Sequence, residues 1–318
     1  MAVSAGELAE SHESPPGGSS RNAPIALFAY NRPQHTQQTV QALQLNELAR
    51  ETELFVFCDG PRTAAESAAV QQVRDYAHAV TGFKSTVVIE RELNFGLAES
   101  VISGVTTVCG DYGRVIVVED DLQTSPYFLQ YMNAALRMYE DDPAVGSIHG
   151  YWYPVHRPLQ ETFFLRGASC WGWATWSRAW RLFERDGRKL LAELQRRNLT
   201  RRFDLEGAIP YTQMLKDQIF GRNNSWAIRW HATMFLADCL QLSPGTSLVR
   251  NIGFDGSGTH RVQSDAYAVE LGTRPIQVSR IAPQESAEAR AALIQYYRNT
   301  RRSLPVRVLN HLRRVVGI

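Results

Sequence analysis

Several things are scarce in this 318-residue chain, and each scarcity removes a class of explanation. Cysteine occurs four times (Cys58, Cys109, Cys170, Cys239), always singly and far apart. That spacing disfavours the paired cysteine ligands of a zinc site and suits free thiols in a reducing compartment. No apolar run approaches the roughly 20 residues that a helix needs to cross a bilayer. Charge of one sign is not in excess either: 34 Lys and Arg against 32 Asp and Glu leave a net charge of +2. A dedicated nucleic-acid binder usually shows a strong basic surplus, so nucleic acid is not an expected partner. Glycine-rich phosphate fingerprints of the Walker and Rossmann types are missing, which disfavours a P-loop NTPase and an NAD enzyme. Residues 1–22 have no basic start and no long apolar core, unlike an export signal. Their Pro15-Pro16-Gly17-Gly18-Ser19-Ser20 tract reads as a disordered lead-in to a cytoplasmic chain.

What is present is an ordinary soluble composition, 44% hydrophobic, in a chain long enough to bury a substantial core. Residues 23–150 alternate strand and helix patterns. Strands are expected at Ile25 to Tyr30, Leu54 to Cys58, Ser85 to Ile89, Val115 to Val118 and Val145 to His149. Helices are expected between them, from Pro33 to about Ala49, Ala64 to Val80, Leu97 to Cys109 and Pro126 to Glu140. This spacing implies βαβ units and an α/β fold with a mostly parallel central sheet flanked by helices. Right-handed crossovers then bring every strand's C-terminal end to one edge. Residues 151–284 are rich in Trp and Arg, with less regular alternation. Helices are expected there at about Thr175 to Arg185, Arg188 to Arg197, Tyr211 to Phe220 and Trp226 to Leu240, and a short strand at Ser247 to Val249. Residues 285–318 form a basic, helical-looking tail with seven arginines after Ala289. Its interleaved aliphatic residues allow either a solvated helix or peripheral contact with anionic lipid on the inner face of a membrane.

The strongest chemical signal is Val115-Ile116-Val117-Val118-Glu119-Asp120-Asp121-Leu122, an apolar strand ending in three carboxylates. Ligands of open α/β sheets sit beyond strand C-termini, and three crowded acids call for a cation. Strand alternation points Glu119 and Asp121 one way and Asp120 the other. Asp121 is the natural ligand for Mn²⁺ or Mg²⁺, with Asp120 reaching a ribose or the metal and Glu119 a sugar hydroxyl. Asn31 and Arg32 end the first strand, where a guanidinium suits a diphosphate. Asp59 follows the second strand in Asp59-Gly60-Pro61, which taken alone is an ordinary turn. His260 ends a Gly-rich loop that starts at Asn251 and contains Asp255; a loop of that kind can fold over a ligand, and imidazole suits a Mn²⁺-type sphere. Trp171 and Trp173 lie in an aromatic run, Trp171-Gly172-Trp173-Ala174-Thr175-Trp176, whose flat faces could stack on sugar rings.

Taken in order, these pieces resemble the GT-A nucleotide-sugar glycosyltransferases, most closely the N-acetylglucosaminyltransferase I family and its bacterial relatives. The resemblance covers residues 24 to 265. It rests on the first strand's polar-Arg end, Asp59, Val-Val-Glu-Asp-Asp-Leu with Pro126 and Phe128, Gly172-Trp173, Trp226 to Trp230 and Gly-Ser-Gly-Thr-His. It implies a GT-A fold and an inverting, metal-assisted transfer from a UDP-sugar, UDP-N-acetylglucosamine among the candidates, to a glycan or lipid-linked saccharide. It also implies that Asp121 holds Mn²⁺, Asp120 contacts the ribose, Glu119 the donor sugar, Asp59 the uracil, and Arg32 approaches the nucleotide. One departure matters. The family carries Trp-Asp-Asp-Trp where this chain has Trp226-Ala227-Ile228-Arg229-Trp230, so the expected base is absent. Asp217 is the first substitute and Asp255 the second. Two alternatives remain: a sugar nucleotidyltransferase, and an inactive module that binds glycan or nucleotide.

Overall fold

A computed structural model describes residues 21–155, 157–255 and 265–300. The β-branched and aromatic runs of the first half form strands Ile25–Ala29 (β1), Glu53–Cys58 (β2), Ser85–Glu90 (β3) and Arg114–Glu119 (β4). Between them lie helices Pro33–Gln44 (α1), Ser67–His78 (α2) and Gly96–Tyr112 (α3). Each βαβ unit returns the chain parallel to itself, giving the local order β3-β2-β1-β4. The order reverses between β1 and β4: the chain grows outward from β1 through β2 and β3, then comes back to place β4 on the other side.

After β4 the chain makes a three-residue strand, Leu122–Thr124 (β5), and then Phe128–Met138 (α4) and Val145–His149 (β6). The second half joins the same sheet through Thr162–Arg166 (β7) and Trp173–Trp176 (β8). Helices Ser177–Trp180 (α5), Gly187–Arg196 (α6), Thr200–Phe203 (α7), Tyr211–Ile219 (α8) and Trp226–Leu236 (α9) follow, then Leu240–Pro244 (β9) and Val249–Asn251 (β10). Among the described residues the sheet is β3-β2-β1-β4-β8-β6-β9-β7, eight strands, with β8 and β7 running against the rest. The α/β class with a mostly parallel, helix-flanked sheet is therefore the observed one.

Two cores fill the two faces. Val40, Leu43, Leu129 and Met132 of α1 and α4 pack on one side. Val101, Val105 and Trp230 of α3 and α9 pack on the other. A third layer, α6, α7 and α8, closes over the outside of α9 around Leu194, Phe203 and Leu215. The helix over 287–300 buries Ala289, Leu293 and Tyr297 against Trp152 and Phe163. That stretch of the tail thus spends its apolar face on packing, while residues 301–318 lie outside the described residues. No helix among the described residues is long and apolar enough to cross a membrane.

Candidate active site

β4 stops at Glu119, and Asp120-Asp121 form a turn before β5. Strand alternation therefore ends one residue too early to separate the two aspartates, and the expected opposite directions are corrected. Asp120 and Asp121 converge on one group, Nη2 of Arg32, which donates to Asp120 Oδ1 and, at 3.0 Å, to Asp121 Oδ2. Arg32 comes from the end of β1, so the three side chains meet across the place where the strand order reverses. That crevice is where open α/β sheets bind ligands. The family resemblance places Arg32 against a nucleotide; here the guanidinium is held by the acids.

The surroundings lock this arrangement. The Tyr30 amide donates toward Asp120 Oδ2 at 3.4 Å, and the Thr39 hydroxyl donates to the Asp120 carbonyl at 2.9 Å. Asp120 is buried. Burial works against the Arg32 charge, but Asp120 and Asp121 outweigh it and raise its pKa. Burial pushes the Asp120 carboxyl up to about 6, against the pull of Arg32. For Glu119, burial together with Asp121 and Asp120 outweighs the weaker pull of Arg32 and pushes it up to about 8.

The Gly-rich loop does reach the acids. β10 pairs with β5, the Ile252 amide donates to the Asp121 carbonyl at 2.8 Å, and Gly253 lies directly over the Asp121 carboxylate. A Cβ at Gly253 would fall 2.2 Å from Asp121 Oδ2, so only glycine fits against the oxygen that Arg32 also holds. Asp255 follows and pairs with His35 Nε2 at 3.1 Å, tying the loop to α1. His260 lies outside the described residues.

Three other expected site residues have different employment. Asp59 is buried, and its carboxylate accepts from the Phe95 and Gly96 amides at 2.8 Å each, capping α3 across a tertiary gap. Both oxygens thus serve a helix start, a structural use beside the uracil contact that the resemblance implies. Asp217 sits on α8 in the outer layer, where Oδ1 accepts from Gln213 and Arg222 at 3.0 Å each. No hydrogen bond or ion pair among the described residues ties it to the acidic edge, so the structure gives Asp217 a local role in closing α8. Trp173 is 0% exposed and stacks on Trp226 at 5.3 Å, which removes it from any ligand surface.

Trp171 parts from Trp173 because Gly172 adopts φ +61, a left-handed kink that breaks alternation between them. It lies half-buried against Tyr151, Phe254 and Tyr267, with ring centroids 4.7, 5.6 and 5.4 Å away. The residue before it, Cys170, is close enough to Glu119 and Asp121 for their charges to add to burial in raising its thiol pKa, so this turn borders the acidic edge. On the far side of Tyr267 a cavity of ≈ 660 Å³ opens, lined by Arg157, Asp265, Gln295, Tyr296 and Asn299. At the other end of the edge, Asn31 Nδ2 donates to Glu66 Oε1 at 3.2 Å and the Tyr30 hydroxyl to Glu66 Oε2 at 2.7 Å. Tyr30 and Gly253 lie in the strand end and Gly-rich loop that the sequence marks, whereas His35 and Glu66 are not singled out there. Of these only His35, one turn into the helix after Arg32-Pro33, carries a local signal.

Among the described residues no cluster of three or more His, Cys, Asp or Glu forms a ready cage for a metal. The acid pair nevertheless fits a hard divalent ion. Mg²⁺-type sites commonly use one or two carboxylates and take their remaining ligands from substrate phosphates and water.

No protein-family model matches the chain, and no curated protein matches it. Among solved structures, a UDP-glucose pyrophosphorylase complexed with UDP-glucose aligns over 70% of this chain and 90% of its own, at 10% identity and a TM-score of 0.32. A likeness of that size carries no weight on chemistry.

Proposed function

We propose that the protein is a metal-dependent glycosyltransferase that moves a sugar from a UDP-sugar to a hydroxyl of a glycan or lipid-linked saccharide. The observation that carries this reading is the convergence of Asp120 and Asp121 at the strand-order reversal, with a side-chain-free Gly253 over Asp121. A divalent ion on that pair supplies charge neutralisation for a departing nucleoside diphosphate. Asn31 and Tyr30 form the nucleotide-side rim beside Asp120, and Glu119 faces the donor sugar next to Trp171. The aromatic path from Trp171 through Tyr267 to the cavity at Gln295 and Asn299 offers an acceptor saccharide flat faces and hydrogen-bond partners. Asp255, held on the loop that covers Asp121, is the candidate proton acceptor for the attacking hydroxyl, with His35 orienting it.

The test is incubation with UDP-sugars and Mn²⁺, following slow release of UDP. Asp121→Ala is expected to abolish Mn²⁺-dependent UDP binding in calorimetry while the circular dichroism stays unchanged. Full metal-dependent binding by that variant would overturn the assignment. UTP formation from UDP-sugar and pyrophosphate would make the protein a nucleotidyltransferase, and UDP binding with no turnover a binding module.

A further inference from the structure

We infer that Arg32 is the resident counter-ion of the acid pair, and that a divalent cation enters only as its guanidinium moves out. This rests on the function proposed above. One nitrogen, Nη2, serves both Asp120 Oδ1 and Asp121 Oδ2, so it stands at the point between the two oxygens that a shared metal ion would have to take. Two cations cannot share that point, because like charges at contact distance repel strongly in a buried setting. Among the described residues, no other Lys or Arg pairs with Asp120 or Asp121.

The side chain is also free to leave. Its backbone is fixed, since the Arg32 carbonyl accepts from the Thr36 amide and hydroxyl at 2.9 Å each as α1 begins. Among the described residues the guanidinium itself is held only by the two aspartates, and 20% of the side chain is exposed. A rotamer change would therefore carry it toward the crevice without disturbing α1. There its planar fork of donors can take phosphate oxygens of the incoming diphosphate, which a metal ion on the aspartates would be binding at the same time. Nucleotide and metal would then load together. Without a phosphate to receive Arg32, the metal must displace it into solvent.

Full-length wild type and Arg32→Gln are to be titrated with Mn²⁺ alone, reading free Mn²⁺ by electron paramagnetic resonance, and then with UDP present. The variant is expected to bind Mn²⁺ alone about tenfold more tightly than wild type. UDP should tighten Mn²⁺ binding strongly in wild type and only weakly in the variant. Equal or weaker Mn²⁺ affinity in the variant, with wild type still binding Mn²⁺ and UDP together, overturns the inference alone. No Mn²⁺ binding by wild type even with UDP overturns the metal-dependent function and this inference with it. A wild-type crystal structure with Mn²⁺ and UDP decides the matter should the variant fold poorly. Arg32 is expected beyond hydrogen-bond distance of both aspartates, and a guanidinium still seated on them with metal bound overturns the exchange.

Discussion

Asp59 and Asp121 are both aspartates at the end of a parallel strand, and their neighbours give them opposite work. The Asp59 carboxylate holds the amides at the start of α3, whereas Asp121 presents an oxygen beneath Gly253 that shares a single guanidinium. Asp59→Ala should therefore act on stability, costing about 1–2 kcal/mol as helix caps do, more if the freed amides stay dry. Urea denaturation measures that loss, and calorimetry should show UDP affinity within about twofold of wild type. A large fall in UDP affinity at unchanged stability would instead restore Asp59 to the nucleotide. The sequence separates these two residues poorly: Asp-Gly-Pro reads as a turn, and the Gly60 amide does bond Asp59, but its other two amides are 36 and 37 residues away. The acid triplet is legible because three adjacent carboxylates after an apolar strand have few structural uses. Its internal partner Arg32 was visible only as a possible phosphate ligand.

At the scale of elements, β5 and β10 decide whether the Gly-rich loop matters. Their pairing carries residues 252 to 255 over the acid pair, and Gly253 is the contact point. Gly253→Ala places a methyl group against Asp121 Oδ2, so the loop must lift or the carboxylate must turn. The expected result is at least a tenfold loss of Mn²⁺-dependent UDP affinity with little change in melting temperature, since the loop borders the crevice and adds little to the core. Unchanged affinity would mean that the loop does not govern the metal seat. The first four strands could be read from sequence because each is a short apolar run, β-branched in β3 and β4, separated from the next by a helix-length segment. β8 could not. Its Trp173-Ala174-Thr175-Trp176 resembles the start of a helix, yet it is wedged antiparallel between β4 and β6 by register that no local pattern encodes. The Leu240–Pro244 strand is not legible either: only Leu240 falls in the expected Trp226 to Leu240 helix, and Gln241-Leu242-Ser243-Pro244 carries no β-branched run.

For the whole molecule, the acids at the crevice link folding to pH and to metal. Glu119 and Asp120 hold their protons in the folded chain above the ordinary carboxylate range, because burial and one another disfavour the charged forms. Between those ordinary values and about 8 the native state thus binds more protons than the unfolded chain. Stability contributed by these groups is therefore greatest at the acid end of that window and is lost as pH rises through it. Melting temperature measured from pH 5 to 9 should fall more steeply for wild type than for Glu119→Gln, in which one of the raised groups no longer titrates. Saturating Mn²⁺ with UDP should shrink the difference, because positive charge on Asp120 and Asp121 offsets their repulsion of Glu119 and leaves burial alone to oppose its ionisation. Parallel profiles for the two proteins without metal would show that Glu119 is not held neutral by its neighbours. Profiles that diverge equally with and without Mn²⁺ and UDP would separate the acid cluster from any cation, leaving Arg32 as its only positive partner.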